Sequence, residues 1–397
     1  MVGRILPPVA AARFAPLAVT LAIQAVVSLA ILAVPAMAPA IAAALDLPVA
    51  LLGIYVALAY GGAMAASLAA GPLVARWGAI RVSQASLAAS AAGLAVCALG
   101  QPWSLAAGAV LLGLGYGPVT PASSHLLART TPAHRMSLVF SVKQTGVPLG
   151  GVLAGALVPP LQAGAGWEVA LLAVAAAALA CALLAQPLQR AMDSGAGPQP
   201  AMGKGHLVAP MRLVLAEPGL RLLAGCSFVF SIAQVSLTTF LVTYLSGSLA
   251  YGLVAAGALL SVAQLGGVLG RVLWGYVADR WLGARTMLSL LALCMAAAAV
   301  ATALLQPGAG MLVPVVLFLF GACAIGWNGV YLAQVAREAP AGKAGLATGG
   351  TLAITFLGVV VGPPLFAALA AGSQSYRVAF AALAVPLVAS ALALRSR

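Results

Sequence analysis

Acid is what this chain has least of. Six carboxylates stand in 397 residues, against nineteen lysines and arginines. Charged residues are 6% of the chain, about a quarter of what a soluble domain carries. No soluble fold could cover an apolar fraction of 63% with so few polar groups, so soluble enzymes and disordered chains are excluded. The Gly-x-x-x-x-Gly-Lys-Ser/Thr run of nucleotide-driven pumps is missing, as are a His-Glu-x-x-His pair and paired intramembrane aspartates. Primary pumps and intramembrane enzymes are thereby set aside. Cysteine is sparse. Cys97, Cys181, Cys226, Cys294 and Cys323 each sit in an apolar run, with no Cys-x-x-Cys. They read as small apolar filler, and no disulfide, metal or other cofactor is expected.

What is present is apolar helix. At about twenty residues per crossing, the apolar content suffices for about twelve bilayer spans. Breaks at polar, Gly and Pro clusters place spans 1 to 6 at 14–38, 50–75, 81–100, 103–128, 136–160 and 167–189. Spans 7 to 12 fall at 220–245, 252–278, 284–306, 310–336, 344–369 and 375–394. The one long polar stretch, 190–216, reads as a flexible connector between a bundle at 1–189 and a bundle at 217–397. The first apolar run, from Phe14, is too long for a cleavable leader. The expected fold is an all-α polytopic membrane protein of twelve helices.

The positive charge has a direction. With the N-terminus inside, sixteen of the nineteen basic residues fall in cytoplasmic segments. The outer loops hold Arg377 alone, and Lys143 and Arg271 fall within spans. This asymmetry fits the positive-inside rule, with both termini cytoplasmic. It makes the net charge of +13 a topology signal and argues against nucleic acid as a partner. Composition and compact loops suggest a bacterial inner membrane and a monomeric chain in the bilayer.

The halves repeat in order. Gly71-Pro-Leu-Val-Ala-Arg76-Trp77 recurs as Gly275-Tyr-Val-Ala-Asp279-Arg280-Trp281, and Arg81 answers to Arg285. Gln101-Pro102 recurs as Gln306-Pro307, and Arg129 with Pro132 as Arg337 with Pro340. Offsets of 204 to 208 residues argue for duplication, hence two six-helix bundles about a pseudo-twofold axis along the membrane normal.

The run Gly275, Asp279, Arg280, Gly283, Arg285 between spans 8 and 9, with its degenerate partner at Gly71, Arg76, Gly78 and Arg81, resembles the major facilitator superfamily. Ala75 stands where that family usually has Asp. The resemblance implies secondary transport by alternating access around a central site, lined by spans 1, 4, 7 and 10 with help from 2, 5, 8 and 11. Gating contacts are expected at Asp279, Arg280, Arg285, Arg76 and Arg81. Asp279 can pair with Arg280, Arg285 or a helix terminus, and Gly71 and Gly275 are expected to allow close helix approach.

The six acids all map to span ends, loops or the connector: Asp46, Glu168, Asp193, Glu217, Asp279 and Glu338. A proton-driven exporter of cations ordinarily needs a buried carboxylate. Lys143 and Arg271, in contrast, lie within spans, where a charge costs a few kcal/mol unless it meets a wet cavity or a partner. An anionic substrate is one such partner. Snorkelling to headgroups is another solution, as is reach from Arg271 to Asp279 or to helix-end carbonyls. Arginine at this place in span 8 resembles the monocarboxylate transporters and the oxalate–formate antiporter, which implies a carboxylate ligand for Arg271. No lysine stands in span 1 and Gly267 replaces an aspartate, so coupling in the manner of the monocarboxylate carriers is not implied.

Helical spacing adds cavity candidates: Thr20, Gln24 and Ser28 in span 1; Ser227, Ser231, Gln234 and Thr238 in span 7; Gln264 beside Arg271 in span 8. Asn328 and Tyr331 in span 10, Thr348, Thr351 and Thr355 in span 11, and Tyr60 in span 2 complete the set. Interhelical hydrogen bonding is the competing reading for the hydroxyls. The leading expectation is a secondary carrier of a small mono- or dicarboxylate, by proton symport or anion exchange. The alternative is a proton-driven efflux antiporter of drugs or metabolites.

Overall fold

A computed structural model describes residues 9–131, 136–193, 208–340 and 343–395. Arg4, Arg135, Lys204, Arg397 and the middle of the connector lie outside the described residues. All regular structure among the described residues is helical. Eleven helical rods there are long and apolar enough to cross a membrane. The twelfth, span 2, is the 27-residue helix Leu51–Trp77, whose apolar part is the shorter run Leu51–Ser67. The surface fits a hydrocarbon solvent: Leu183, Leu184, Leu269, Leu319 and Leu392 all point outward, where water would penalise them.

Several spans are broken, and proline or glycine marks most breaks. Span 1 is Val9–Ala36, followed by Ala38–Leu45. Span 4 divides into Pro102–Tyr116 and Val119–Thr130 at Gly117-Pro118. Span 5 divides into Met136–Gln144 and Gly146–Ala165, just before Pro148. Span 10 divides at Trp327 into Leu312–Gly326 and Asn328–Glu338, the place equivalent to the break in span 4. Span 8, Leu253–Val277, ends in a π-helical turn, Ala278–Leu282. Spans 3, 6, 7, 9 and 11 are Ala79–Cys97, Trp167–Met192, Pro218–Ser248, Ala284–Leu304 and Ala344–Ser373. Span 12 is Tyr376–Ala382 with Ala384–Arg395. The stretch read as connector is shorter than expected: span 6 runs through Met192, and Val208–Ala216 is helical.

Packing repeats with the sequence. Span 1 lies on span 5 as span 7 lies on span 11; span 2 lies on span 4 as span 8 lies on span 10; span 3 lies on span 6 as span 9 lies on span 12. Between halves, span 5 meets span 8 and span 2 meets span 11, the same contact under the twofold. Glycine permits these approaches. A Cβ on Gly113 would strike the Ala59 carbonyl, and one on Gly321 would strike the Ala263 carbonyl. Those two pairs are related by offsets of 208 and 204, the same as the sequence repeats. Across the halves, Gly155 abuts Gly257 and Ser261, and Gly53 abuts Pro363 and Ala367.

Candidate functional site

The two cations found within spans come together inside the helix assembly. Lys143, 1% exposed, projects from the last turn of the first segment of span 5. Its Nζ donates to Gln24 Oε1 at 2.9 Å and to Thr120 Oγ1 at 3.4 Å. Thr120 in turn donates to Gln24 Oε1 at 3.1 Å, and Gln24 Nε2 lies 3.5 Å from Ser28 Oγ. An ammonium has three donors and here meets two neutral acceptors. Arg271 is half-buried, its Nη1 on the carbonyl of Gln144, the residue after Lys143, at 2.9 Å and its Nε on the Ile325 carbonyl at 3.2 Å. Tyr116 stands beside Arg271 and packs edge-on against Tyr60, ring centroids 5.9 Å apart.

None of the six carboxylates reaches either cation. Asp193 accepts from the Ile80 and Arg81 main-chain N–H groups at 2.9 and 3.0 Å, capping the start of span 3. Asp279 pairs with Arg337 at 3.1 Å and Glu338 with Arg285 at 3.4 Å. Asp46 ends the short helix after span 1, Glu168 starts span 6, and Glu217 precedes span 7.

A second polar group lies on spans 7 and 10. Gln234 Oε1 accepts from Trp327 Nε1 at 3.0 Å and from Asn328 Nδ2 at 3.4 Å. Trp327 packs between Phe230 and Tyr331, with centroids 5.4 and 5.2 Å away. The Tyr331 hydroxyl is buried without a hydrogen-bond partner among the described residues, close to Ser227, Thr351 and Thr355.

The sequence-derived candidates therefore divide. Arg271, Lys143, Gln24 and Tyr60 form one group, and Gln234, Asn328 and Tyr331 another. Gln264 is 2% exposed and lies against Gly151 of span 5, in the seam between halves. Thr351 is fully buried and donates to Thr348 O in its own helix. Thr120 and Tyr116 were not singled out from sequence. Both flank the Gly117-Pro118 break, which was the available signal.

At the basic ends, Asp279 is bound by Arg337 rather than by Arg280 or Arg285. Arg280 and Arg76 are exposed. Arg81 contributes its main-chain N–H to the Asp193 cap. The expectation of a close helix approach at Gly275 is corrected: a Cβ there would meet nothing within 4 Å. The face of span 8 that meets span 10 carries Gly266 and Gly270, and Gly275 lies about 140° further round the helix. Gly71 lies where side-chain surroundings are not described. Gly275→Ala is thus expected to leave thermal stability and transport within error of the parent. A loss of folded protein would restore the packing role.

A family model described as Major Facilitator Superfamily matches residues 19–358. The gentisate transporter of Corynebacterium glutamicum is 28% identical over 305 residues, 74% of this chain. The match spans 66% of that protein, just under two thirds of its length. Among solved structures, a mutant of the nucleoside transporter NupG superposes with a TM-score of 0.78 at 15% identity, over 96% of this chain and 99% of that one. A bacterial homologue of the human lysosomal transporter Spinster, inward-facing and occupied, gives 0.73 at 15% identity, over 96% and 95%. At such identities the likeness is one of fold.

Proposed function

The chain belongs to the Major Facilitator Superfamily, a family of secondary transporters, and on that footing we propose that it carries a small organic anion, an aromatic carboxylate being the class that fits best. One observation carries the proposal. Lys143 and Arg271 stand together in the interior with neutral partners, while all six acids lie at helix ends or loops. A buried charge left this way is costly, and a bound carboxylate offsets the cost. The aromatic preference is supported by Tyr60 and Tyr116 near Arg271 and by Trp327 and Phe230 beside Gln234. Gln234 and Asn328 offer amides suited to a ring hydroxyl. The gentisate transporter, an aromatic-acid carrier by name, points the same way.

In this reading the anion enters between bundles and the halves rock about it. The basic ends, with Arg76, Arg81, Arg280 and the pairs Asp279–Arg337 and Arg285–Glu338, make and break contacts as they move. Both termini face the cytoplasm of a bacterial cell, with 1–189 and 217–397 as the rocking units and 190–216 joining them.

Purified protein in liposomes tests this. Radiolabelled gentisate and benzoate should enter saturably, more readily than lactate or oxalate. Absence of anion uptake, with extrusion of a lipophilic cation such as tetraphenylphosphonium, would replace this reading with efflux.

A further inference from the structure

Proline in span 5 creates an acceptor that span 8 occupies. Residue 148 has no N–H, so the carbonyl four residues earlier, Gln144 O, loses its helical donor. The helix breaks there, and Arg271 Nη1 takes the vacated carbonyl at 2.9 Å. Nε of the same guanidinium holds Ile325 O of span 10 at 3.2 Å. Spans 8 and 10 belong to the second half and span 5 to the first. One side chain thus ties the halves together through main-chain oxygens, with no carboxylate involved.

We infer that the protein is an anion exchanger, latched when empty by Arg271 on the Gln144 carbonyl and released when a substrate carboxylate takes the guanidinium. This rests on the anion-carrier reading above. Each bidentate edge of a guanidinium includes Nε or Nη1, the two atoms that hold Ile325 O and Gln144 O, so a carboxylate on either edge shares an atom with the latch. The charged ligand competes with the neutral carbonyls for the orientation of the guanidinium. Such competition is the differential interaction a ligand needs in order to shift a conformational equilibrium. Loaded halves then reorient faster than empty ones, which favours exchange over net flow. Pro148 acts as a positioning residue: it leaves the carbonyl open and touches no substrate.

The test compares radiolabelled gentisate entry into gentisate-loaded and into empty liposomes. The parent protein should fill loaded liposomes about tenfold faster, the factor that one charge-assisted hydrogen bond supplies. Pro148→Ala returns an N–H to Gln144 O. Its ratio should fall towards one through faster entry into empty liposomes, with exchange retained. A parental ratio of one, or an unchanged ratio in Pro148→Ala, overturns the exchanger inference and leaves anion transport standing. If Pro148→Ala does not fold, the parental ratio alone decides. If gentisate is not carried, the anion reading loses its probe, and the latch is read without ligand. Nitroxide labels at positions 77 and 281 of a cysteine-free protein should then give a different distance distribution in Pro148→Ala. Identical distributions overturn the latch.

Discussion

Arg271→Ala is expected to lower aromatic carboxylate uptake about a hundredfold, the loss associated with one bidentate charge-assisted contact in a dry site. The guanidinium is half-buried beside Tyr116, and its neighbours are main-chain oxygens that alanine leaves without it. Arg271→Lys should recover little, because a point charge lacks the planar fork that a carboxylate matches. Lys143→Ala tests the companion charge and removes the donor now held by Gln24 and Thr120. A smaller loss is expected there, about tenfold, since Thr120 already donates to Gln24 Oε1 and that pair stays satisfied without the ammonium. Initial rates in proteoliposomes, at equal protein by immunoblot, measure both. Parental rates in both variants would remove the basis for an anion site while leaving the carrier fold intact.

The sequence made the membrane character and the internal duplication legible because both are written in side chains. Apolar length sets the spans, and arginine placement gives a sidedness. Offsets of 204 and 208 reappear as the matched pairs Gly113 on Ala59 and Gly321 on Ala263. Lys143 and Arg271 stood out for the same reason, as charges where charge is costly. Their partners did not. Arg271 binds the carbonyls of Gln144 and Ile325, which are main-chain atoms that every residue possesses. Only the proline four residues after Gln144 signals that one of them is open. Periodicity put Gln264 on the face of Arg271, yet it cannot say whether a face meets a cavity or another helix, and Gly151 shows a helix there. Asp193 reads from sequence as part of a flexible connector because its targets, the N–H groups of Ile80 and Arg81, lie 113 and 112 residues away.

Gly321→Val should abolish recovery of monodisperse protein, and Gly113→Val should do the same. An added Cβ at either position meets a backbone carbonyl of the neighbouring span, which cannot swing aside as a flexible side chain would. Overpacking of a tight interface costs about 1–3 kcal/mol even when side chains can yield. Here spans 8 and 10, or 2 and 4, must separate along a line of backbone-to-backbone contact, so the cost lies at or above that upper end. The duplication sharpens the expectation. Gly117 approaches Ala63 in the first half, whereas the equivalent contact in the second half places Ile325 against Gly267. The glycine has changed sides while the close approach has been kept. Gly117→Ile should therefore fail alone and improve when Ala63→Gly is added, because the pair then reproduces the arrangement of the second half. Fluorescence size-exclusion profiles and melting in detergent report the outcome. Equal failure of the single and double variants would show that the two crossings, though related by descent in sequence, no longer share one packing geometry.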